Sequence, residues 1–178
     1  MMQRQWGIVL VVLALLGAGA FVLVEQAPPR VEVGARAPDF RATDLADNQT
    51  VSLRQMYRGH VTLVNIWRTD CEPCKQEIPA MDSLFRDLRD RGFRIAAVSV
   101  DPGPDQGVRQ FAGSFHISFD VLHDRDNRVG ELYQTTGVPE SFLVDKSGHI
   151  VRIAQQAAPW NSPENHRIVE ELLAAPAS

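Results

Sequence analysis

The chain contains two cysteines, Cys71 and Cys74, which are three positions apart and form a C-x-x-C motif. The motif follows an apolar run, Val61–Trp67, with the composition of a buried strand, and it precedes a stretch with helical periodicity. The first thiol would therefore lie at a helix N-terminus, where free backbone N–H groups and the helix dipole favour a thiolate. The second would lie one turn further along, close enough to form a short disulfide. This arrangement predicts a redox-active dithiol.

Two other uses of the cysteine pair fit the sequence less well. A zinc site needs four ligands, whereas the motif supplies two, and the five histidines are scattered without H-x-x-x-H spacing. An inert structural disulfide between such close residues would constrain the unfolded chain little. The sequence favours a working dithiol and leaves both alternatives open.

The N-terminal residues predict the compartment in which the thiols work. Residues 1–6 carry Arg4, and residues 7–24 are uncharged and almost wholly apolar, about the length of a membrane span. We expect a signal anchor with a cytoplasmic N-terminus (residues 1–6), and the alternative is a signal peptide cleaved after Ala20. In both cases the thiols would face an oxidising extracytoplasmic space, such as the periplasm, at the inner (cytoplasmic) membrane.

The rest of the chain predicts one α/β domain. Residues 25–33 contain two prolines and predict an extended tether, residues 34–174 the domain, and residues 175–178 a short tail. The net charge of −4, without a basic patch, argues against nucleic acid as a partner. Hydrophobic periodicity predicts strands at 50–53, 61–67, 93–100, 118–122, 141–144 and 149–154, and helices at 73–91, 105–115, 127–133 and 163–174. This order predicts a central mixed sheet with helices on both faces.

Four motifs occur in a distinctive order: Ala37–Pro38–Asp39–Phe40, Leu63–Val64–Asn65–Ile66–Trp67, residues 71–79, and Val138–Pro139 followed by Phe142–Leu143–Val144–Asp145. Together they resemble the thioredoxin fold and, more narrowly, the membrane-tethered TlpA/ResA/CcmG group of thiol–disulfide oxidoreductases. The resemblance covers about residues 33–173. Members of this group commonly keep a partner disulfide reduced, notably in apocytochrome c before haem attachment. The resemblance implies no cofactor, and it implies a DsbD/CcdA-type membrane partner as the electron donor.

The resemblance also implies roles for individual residues. Cys71 matches the attacking nucleophile and Cys74 the resolving thiol that breaks the mixed disulfide. Pro139 matches the cis-proline of the family, which would place the Val138 backbone beside Cys71, ready to pair with an extended substrate strand. The alternative for Pro139 is an ordinary turn proline.

Two carboxylates near the dithiol are further candidates. Glu77 lies one helical turn after Cys74 and matches a glutamate of the ResA-like members, where it could accept or return the proton of Cys74. Thioredoxin uses an aspartate for this purpose, and the corresponding residue here is Asn65, which does not titrate. Glu140 resembles the CcmG-like pattern and would shape an acidic cavity beside the site. The alternatives are a solvated helix charge for Glu77 and an ordinary surface residue for Glu140.

The surface around Cys71 departs from the family at one position. Asp70 occupies the place where most members have tryptophan, and Glu72 and Pro73 follow the nucleophile. We expect these three residues to contact the substrate, with Trp67 packing under the loop more than touching the substrate. Two carboxylates beside Cys71 should raise its pKa, giving a weak nucleophile near neutral pH and a low reduction potential.

The sequence thus predicts an anchored, extracytoplasmic dithiol that reduces a protein disulfide. One alternative is a role in copper-site assembly, or copper binding itself, for which His116 or His123 would have to serve as the distant ligand. A thiol peroxidase is the third interpretation, but no Pro-x-x-x-Thr/Ser-x-x-Cys loop leads into Cys71.

Overall fold

The computed structural model describes residues 30–176. The predicted cytoplasmic N-terminus, the predicted anchor and most of the predicted tether lie outside these residues, as does the end of the predicted tail. Within the described part, no helix is long and apolar enough to cross a membrane. Val31, which the sequence assigned to the tether, packs against the core of the domain.

Strands and helices alternate along most of the described chain. In order they are β1 Arg41–Asp44, β2 Thr50–Ser52, α1 Leu53–Tyr57, β3 Val61–Trp67, α2 Glu72–Leu88, a 3-10 turn Arg89–Arg91, β4 Phe93–Ser99, α3 Asp105–Ser114, β5 Asp120–His123, α4 Arg128–Leu132, β6 Glu140–Val144, β7 Ile150–Ala154 and α5 Pro163–Ala174.

The strands of residues 30–176 form one mixed sheet in the order β2-β1-β5-β4-β3-β6-β7. The pairs β3–β4 and β4–β5 are parallel, and the other pairs are antiparallel. All residues of β3 are buried, because helices cover both faces of the sheet. Since β3 and β4 are parallel, with Trp67 opposite Ser99, their carboxyl ends meet at the same edge of the sheet.

Two hydrophobic clusters fill the space between the sheet and its helices. On one face, α2, α3 and α5 contribute Met81, Val108 and Val169. On the other face, α1 and α4 contribute Tyr57 and Val129. The thioredoxin-like α/β architecture with helices on both faces, predicted from the sequence, is confirmed.

The short elements at the start of the domain differ from the prediction. Strand β1 was not predicted, because four residues with an acidic end carry little periodicity. The predicted strand through Leu53 ends at Ser52, whose hydroxyl accepts a hydrogen bond from the Gln55 N–H at 3.2 Å and so starts helix α1.

Helix α3 is less buried than its apolar spacing predicts. The apolar spacing predicts that Phe111, Ala112 and Phe115 face the core; all three are half-buried, and Phe111 packs against the hydrophobic cluster. The two phenylalanine rings stack on one another near the surface.

Candidate active site

The cysteine pair lies in the connection between β3 and α2. Cys71 is the N-cap residue of α2, with extended backbone angles, and its Sγ accepts a hydrogen bond from the Cys74 N–H at 3.2 Å. Pro73 fits the first turn, where the missing N–H has no helical partner. The two cysteines form a disulfide with a Cα–Cα distance of 5.3 Å. Cys71 is 9% exposed and Cys74 is fully buried, so Cys71 is the sulfur closer to solvent.

The turn before Cys71 is held by an aspartate that the sequence analysis did not single out. Asp101 follows β4, and its carboxylate accepts hydrogen bonds from the Thr69 N–H at 3.0 Å, the Thr69 hydroxyl at 2.6 Å and the Ser99 hydroxyl at 2.7 Å. These bonds fix the backbone two residues before the nucleophile. Asp101 could have been found from the sequence as a polar residue directly after the buried strand β4, since the carboxyl ends of β4 and β3 meet at the same edge.

A buried histidine contacts the backbone of Asp101. His123 at the end of β5 is 3% exposed, with Nε2 2.9 Å from the Asp101 carbonyl oxygen and Nδ1 2.8 Å from Asp105 Oδ1. Both ring nitrogens therefore lie within hydrogen-bonding distance of an acceptor. Hydrogen bonds from Arg125 and from His123 lower the pKa of Asp105. Because both ring nitrogens are engaged, His123 is not free to serve as a copper ligand in this arrangement.

The Val138–Pro139 segment packs directly against the dithiol. Its peptide bond is cis, as the resemblance predicted, rather than that of an ordinary turn proline. The Val138 carbonyl oxygen lies 3.6 Å from Cys71 Sγ, a contact without a hydrogen bond because the disulfide sulfur carries no proton. The backbone of Val138 therefore lies beside Cys71, where an extended chain could pair with it.

Glu77 is a buried carboxylate on the sheet-facing side of α2, so its interpretation as a solvated helix charge was wrong. It is 3% exposed; Oε1 accepts from Asn65 Nδ2 at 2.8 Å and Oε2 accepts from the Ala158 N–H at 3.1 Å. Burial raises the pKa of Glu77, while the bonds from Ala158 and Asn65 oppose the rise. The buried indole N–H of Trp160 also favours the charged form, although it lies outside standard hydrogen-bond geometry to any described residue.

Asn65 links this carboxylate to the strand that carries Pro139. Its Nδ2 also donates to the Ser141 hydroxyl at 2.9 Å, two residues beyond Pro139. A single buried amide thus contacts both the glutamate beside the resolving thiol and the strand beside the nucleophile. The loop after β7, with Ala158, closes the other side of Glu77. No pattern in the sequence indicated that this loop would reach the site.

Glu140 occupies the opposite face of the sheet. Because side chains alternate along a strand and Ser141 faces Asn65, Glu140 points away from Glu77. It is 4% exposed, so its interpretation as an ordinary surface residue was wrong. Burial raises the pKa of Glu140, and its Oε2 has no hydrogen-bond partner among residues 30–176.

The charges that flank Cys71 are each balanced by a neighbour. Asp70 and Glu72 are exposed, as is Pro73. Asp70 pairs with Arg68 at 2.8 Å, and Glu72 pairs with Lys75 at 3.2 Å. The prediction that two carboxylates disfavour the Cys71 thiolate did not include these cations, which weaken the effect.

Trp67 is placed under the active-site turn. It is 1% exposed and packs on Phe111 with ring centroids 5.0 Å apart. A side chain this deeply buried does not offer a surface to a partner protein. Of the candidate substrate-binding residues, Asp70, Glu72 and Pro73 are exposed and Val138 is half-buried at the disulfide, whereas Trp67 and Glu140 are buried.

Known proteins are similar in sequence to this chain along most of its length. The AhpC/TSA family matches residues 33–153. The thiol–disulfide oxidoreductase ResA of Geobacillus kaustophilus is 33% identical over 159 residues, covering 89% of this chain and 90% of the relative. ResA of Oceanobacillus iheyensis is 33% identical over 153 residues, covering 83% of this chain and 79% of the relative.

A solved structure gives the same result for the fold. A DsbE-like thiol:disulfide interchange protein from Chlorobium tepidum superposes with a TM-score of 0.74 at 25% identity, covering 82% of this chain and 100% of that one. The chain therefore belongs to the AhpC/TSA family, and its C-x-x-C disulfide and its ResA relatives identify it as a thiol–disulfide oxidoreductase with a thioredoxin-like fold.

Proposed function

We propose that this oxidoreductase is a reductant of protein disulfides outside the cytoplasm, held at the membrane by residues 7–24. The proposal that the dithiol donates electrons to its partner rests on the charges around the two cysteines. Arg68 and Lys75, the cations nearest in sequence, are both paired with carboxylates, while Cys74 is fully buried close to the buried Glu77. The Cys74 N–H and the N-terminus of α2 favour a thiolate at Cys71, but the two paired cations add little to this, and a dithiol with weakly stabilised thiolates is readily oxidised.

The exchange proceeds in two balanced steps. The Cys71 thiolate attacks one sulfur of the partner disulfide, the partner S–S bond breaks, and a mixed disulfide forms with release of one partner thiolate. The Cys74 thiolate then attacks Cys71 Sγ, which forms the intramolecular disulfide and releases the second partner thiolate. The partner gains two electrons and, after protonation, two thiol protons, and the enzyme is left in the disulfide form described here.

Two features of the site assist these steps. The Val138 backbone beside Cys71 aligns an extended partner segment with the nucleophile. Glu77, one helical turn after Cys74, accepts the proton of Cys74 as it becomes the second nucleophile; burial raises the pKa of Glu77 and so favours its protonated form.

The partners follow from this chemistry and from the family. Each turnover oxidises the dithiol, so a membrane dithiol donor of the DsbD/CcdA type must restore it. The leading substrate is apocytochrome c, whose haem-attachment motif is C-x-x-C-H.

A peptide containing an oxidised C-x-x-C-H motif tests this proposal. The reduced protein should convert the peptide to its dithiol with stoichiometric loss of its own thiols, followed by mass spectrometry. Cys71→Ser should abolish the reaction, and Asp90→Asn, an exposed position just before the start of β4 at the opposite edge of the sheet, is the matched control. If the disulfide form instead oxidises the dithiol peptide and the reduced protein leaves the oxidised peptide intact, the proposed direction is wrong.

A separate experiment tests the location. Protease added to intact spheroplasts that express the full chain should digest the domain, whereas a cytoplasmic control protein stays intact. Protection of the domain until the membrane is lysed would contradict the extracytoplasmic placement.

A further inference from the structure

A cleft of about 550 Å³ opens at the end of the sheet opposite the disulfide. Helix α1, the turn into β3 and the turn between β6 and β7 contribute to its lining. Thr62 in this lining and Trp67 beside the active-site turn are five positions apart on β3, which corresponds to roughly 16 Å at about 3.3 Å per residue. The cleft is therefore separate from the dithiol.

The ionisable side chains of the cleft are predominantly cationic, although the chain as a whole has a net charge of −4. Four cations outnumber two carboxylates in the lining, with His60 in addition: Arg36, Arg54, Arg58 and Lys146 against Asp39 and Asp145. This excess makes the cleft a local region of positive potential.

The two carboxylates are already occupied by nearby donors. Asp39 accepts a hydrogen bond from the Arg54 N–H at 2.9 Å. Asp145 accepts from the N–H groups of Ser147 and His149, each at 2.9 Å. These bonds hold the two ends of the cleft lining in place.

The arginines are less engaged. Arg36 donates to the Ser147 carbonyl oxygen at 3.1 Å and forms no ion pair among the described residues. Arg58 has neither a hydrogen bond nor an ion pair from its guanidinium within residues 30–176. Among residues 30–176, these two guanidinium groups of the cleft therefore form no ion pair.

A buried hydroxyl in the lining points to a ligand independently of the charges. Thr62 is 1% exposed, and its Oγ1 has no hydrogen-bond partner in the described part of the chain. Buried polar groups without a partner are uncommon and destabilising in folded proteins. Leu53 and the ring of Tyr57, whose hydroxyl donates to Asp120 at 3.1 Å, also line the cleft and offer an apolar wall to a ligand.

We propose that this cleft binds an organic phosphate with an apolar portion. The guanidinium groups of Arg36 and Arg58 pair with phosphate oxygens, a geometry that arginine matches with two parallel hydrogen bonds. The Thr62 hydroxyl donates to the same ligand, and the apolar portion packs against Leu53 and Tyr57. The volume lies within the range of about 300–1,000 Å³ that is usual for small-molecule sites. A soluble phosphate ester and a phospholipid headgroup share this chemistry.

Calorimetric titration of the full chain in a non-ionic detergent tests the site. The probes are phenyl phosphate for a soluble ester and dihexanoyl phosphatidylglycerol for a lipid headgroup, with dihexanoyl phosphatidylcholine as the zwitterionic comparison. We expect saturable binding of at least one anionic probe. Binding of phenyl phosphate would identify the soluble source, and binding of the phosphatidylglycerol alone would identify the lipid source.

Three variants separate a specific site from general attraction. Arg58→Glu should weaken binding about tenfold or more, since it replaces one phosphate-pairing charge by a repulsive one. Thr62→Val should weaken binding while the melting temperature stays at or above that of the wild type, because the hydroxyl has no protein partner. Arg41→Glu, the same charge change at an exposed arginine on β1, should leave affinity within about twofold.

The proposal is overturned if neither anionic probe binds saturably, or if Arg41→Glu weakens binding as much as Arg58→Glu. It is also overturned if Thr62→Val retains full affinity. Peptide-disulfide reduction by the same variants should be unchanged, so this test and the test of the redox function fail independently.

Discussion

Replacing Asn65 by aspartate should make the stability of the protein strongly dependent on pH. The substitution keeps the size of the side chain but puts a carboxylate oxygen where Asn65 Nδ2 now lies, 2.8 Å from Glu77 Oε1 in the buried site. Two carboxylates at this distance share one proton in preference to ionising together.

The magnitude follows from Coulomb's law. At a charge separation of about 4 Å and an effective dielectric constant of about 20, the repulsion is about 4 kcal/mol, or roughly a thousandfold change in the second acid dissociation constant. The second pKa of the folded pair is thus raised above its unfolded value of about 4. The folded state then binds more protons, so stability is full below about pH 4 and is lost as pH rises through the raised pKa.

Urea unfolding of the disulfide form, followed by tryptophan fluorescence from pH 5 to pH 8, measures this effect. Asn65→Asp should lose up to about 4 kcal/mol relative to the wild type at pH 8 and recover much of it at pH 5. Adding Glu77→Gln to this variant should restore most of the lost stability, because the new glutamine amide can donate to the carboxylate introduced at position 65. An unfolding free energy for Asn65→Asp that follows the wild-type pH profile would refute the placement of Glu77 against Asn65.

Three further predictions concern the residues around the dithiol. Burial raises the pKa of Glu77 in the folded state, so the unfolding free energy should fall as pH rises above the pKa that Glu77 has in the unfolded chain. Glu77→Gln should make the unfolding free energy from urea titrations less dependent on pH. An unchanged pH dependence in this variant would contradict the prediction. Asp101→Ala removes the acceptor of three hydrogen bonds and should lower the unfolding free energy by about 1–3 kcal/mol, whereas Asp126→Ala at an exposed site should change it little. Cys74→Ser should trap a covalent adduct between Cys71 and a disulfide substrate, visible on non-reducing gels, and the absence of any adduct would argue against Cys71 as nucleophile.

The parts of the fold that the sequence predicted well are those with strong local patterns. Strand β3 is a continuous apolar run, and α2 begins directly at the cysteine motif and carries apolar residues at helical spacing. Each of the two therefore begins within a residue or two of the prediction. Strand β1 and helix α1 are too short to show a period, and the start of α1 depends on one capping hydroxyl at Ser52.

The candidate site divides in the same way. The cysteine pair and Pro139 were recognisable because each stands in a short contiguous motif. The hydrogen bonds that hold the site in place were not recognisable, because they join residues far apart in the chain. Thr69 and Asp101 are 32 positions apart, and Glu77 and Ala158 are 81 positions apart. Only the folded sheet brings them together.

The paired charges around Cys71 show a different limit. The sequence shows Asp70 and Glu72 beside the nucleophile, but their effect depends on where the side chains of Arg68 and Lys75 point. Several rotamers of these long side chains are compatible with the sequence, and the conformation in the folded turn decides whether the carboxylates act on the thiol or on their cations.

The most direct test of the central claim is the reduction potential of the Cys71–Cys74 couple, measured by equilibration of the protein with glutathione and dithiothreitol buffers. A dithiol reductant should have a potential near or below that of thioredoxin, about −270 mV. A potential near about −120 mV, the value of the strong oxidant DsbA, would contradict the account and would make the protein an oxidant of its partners.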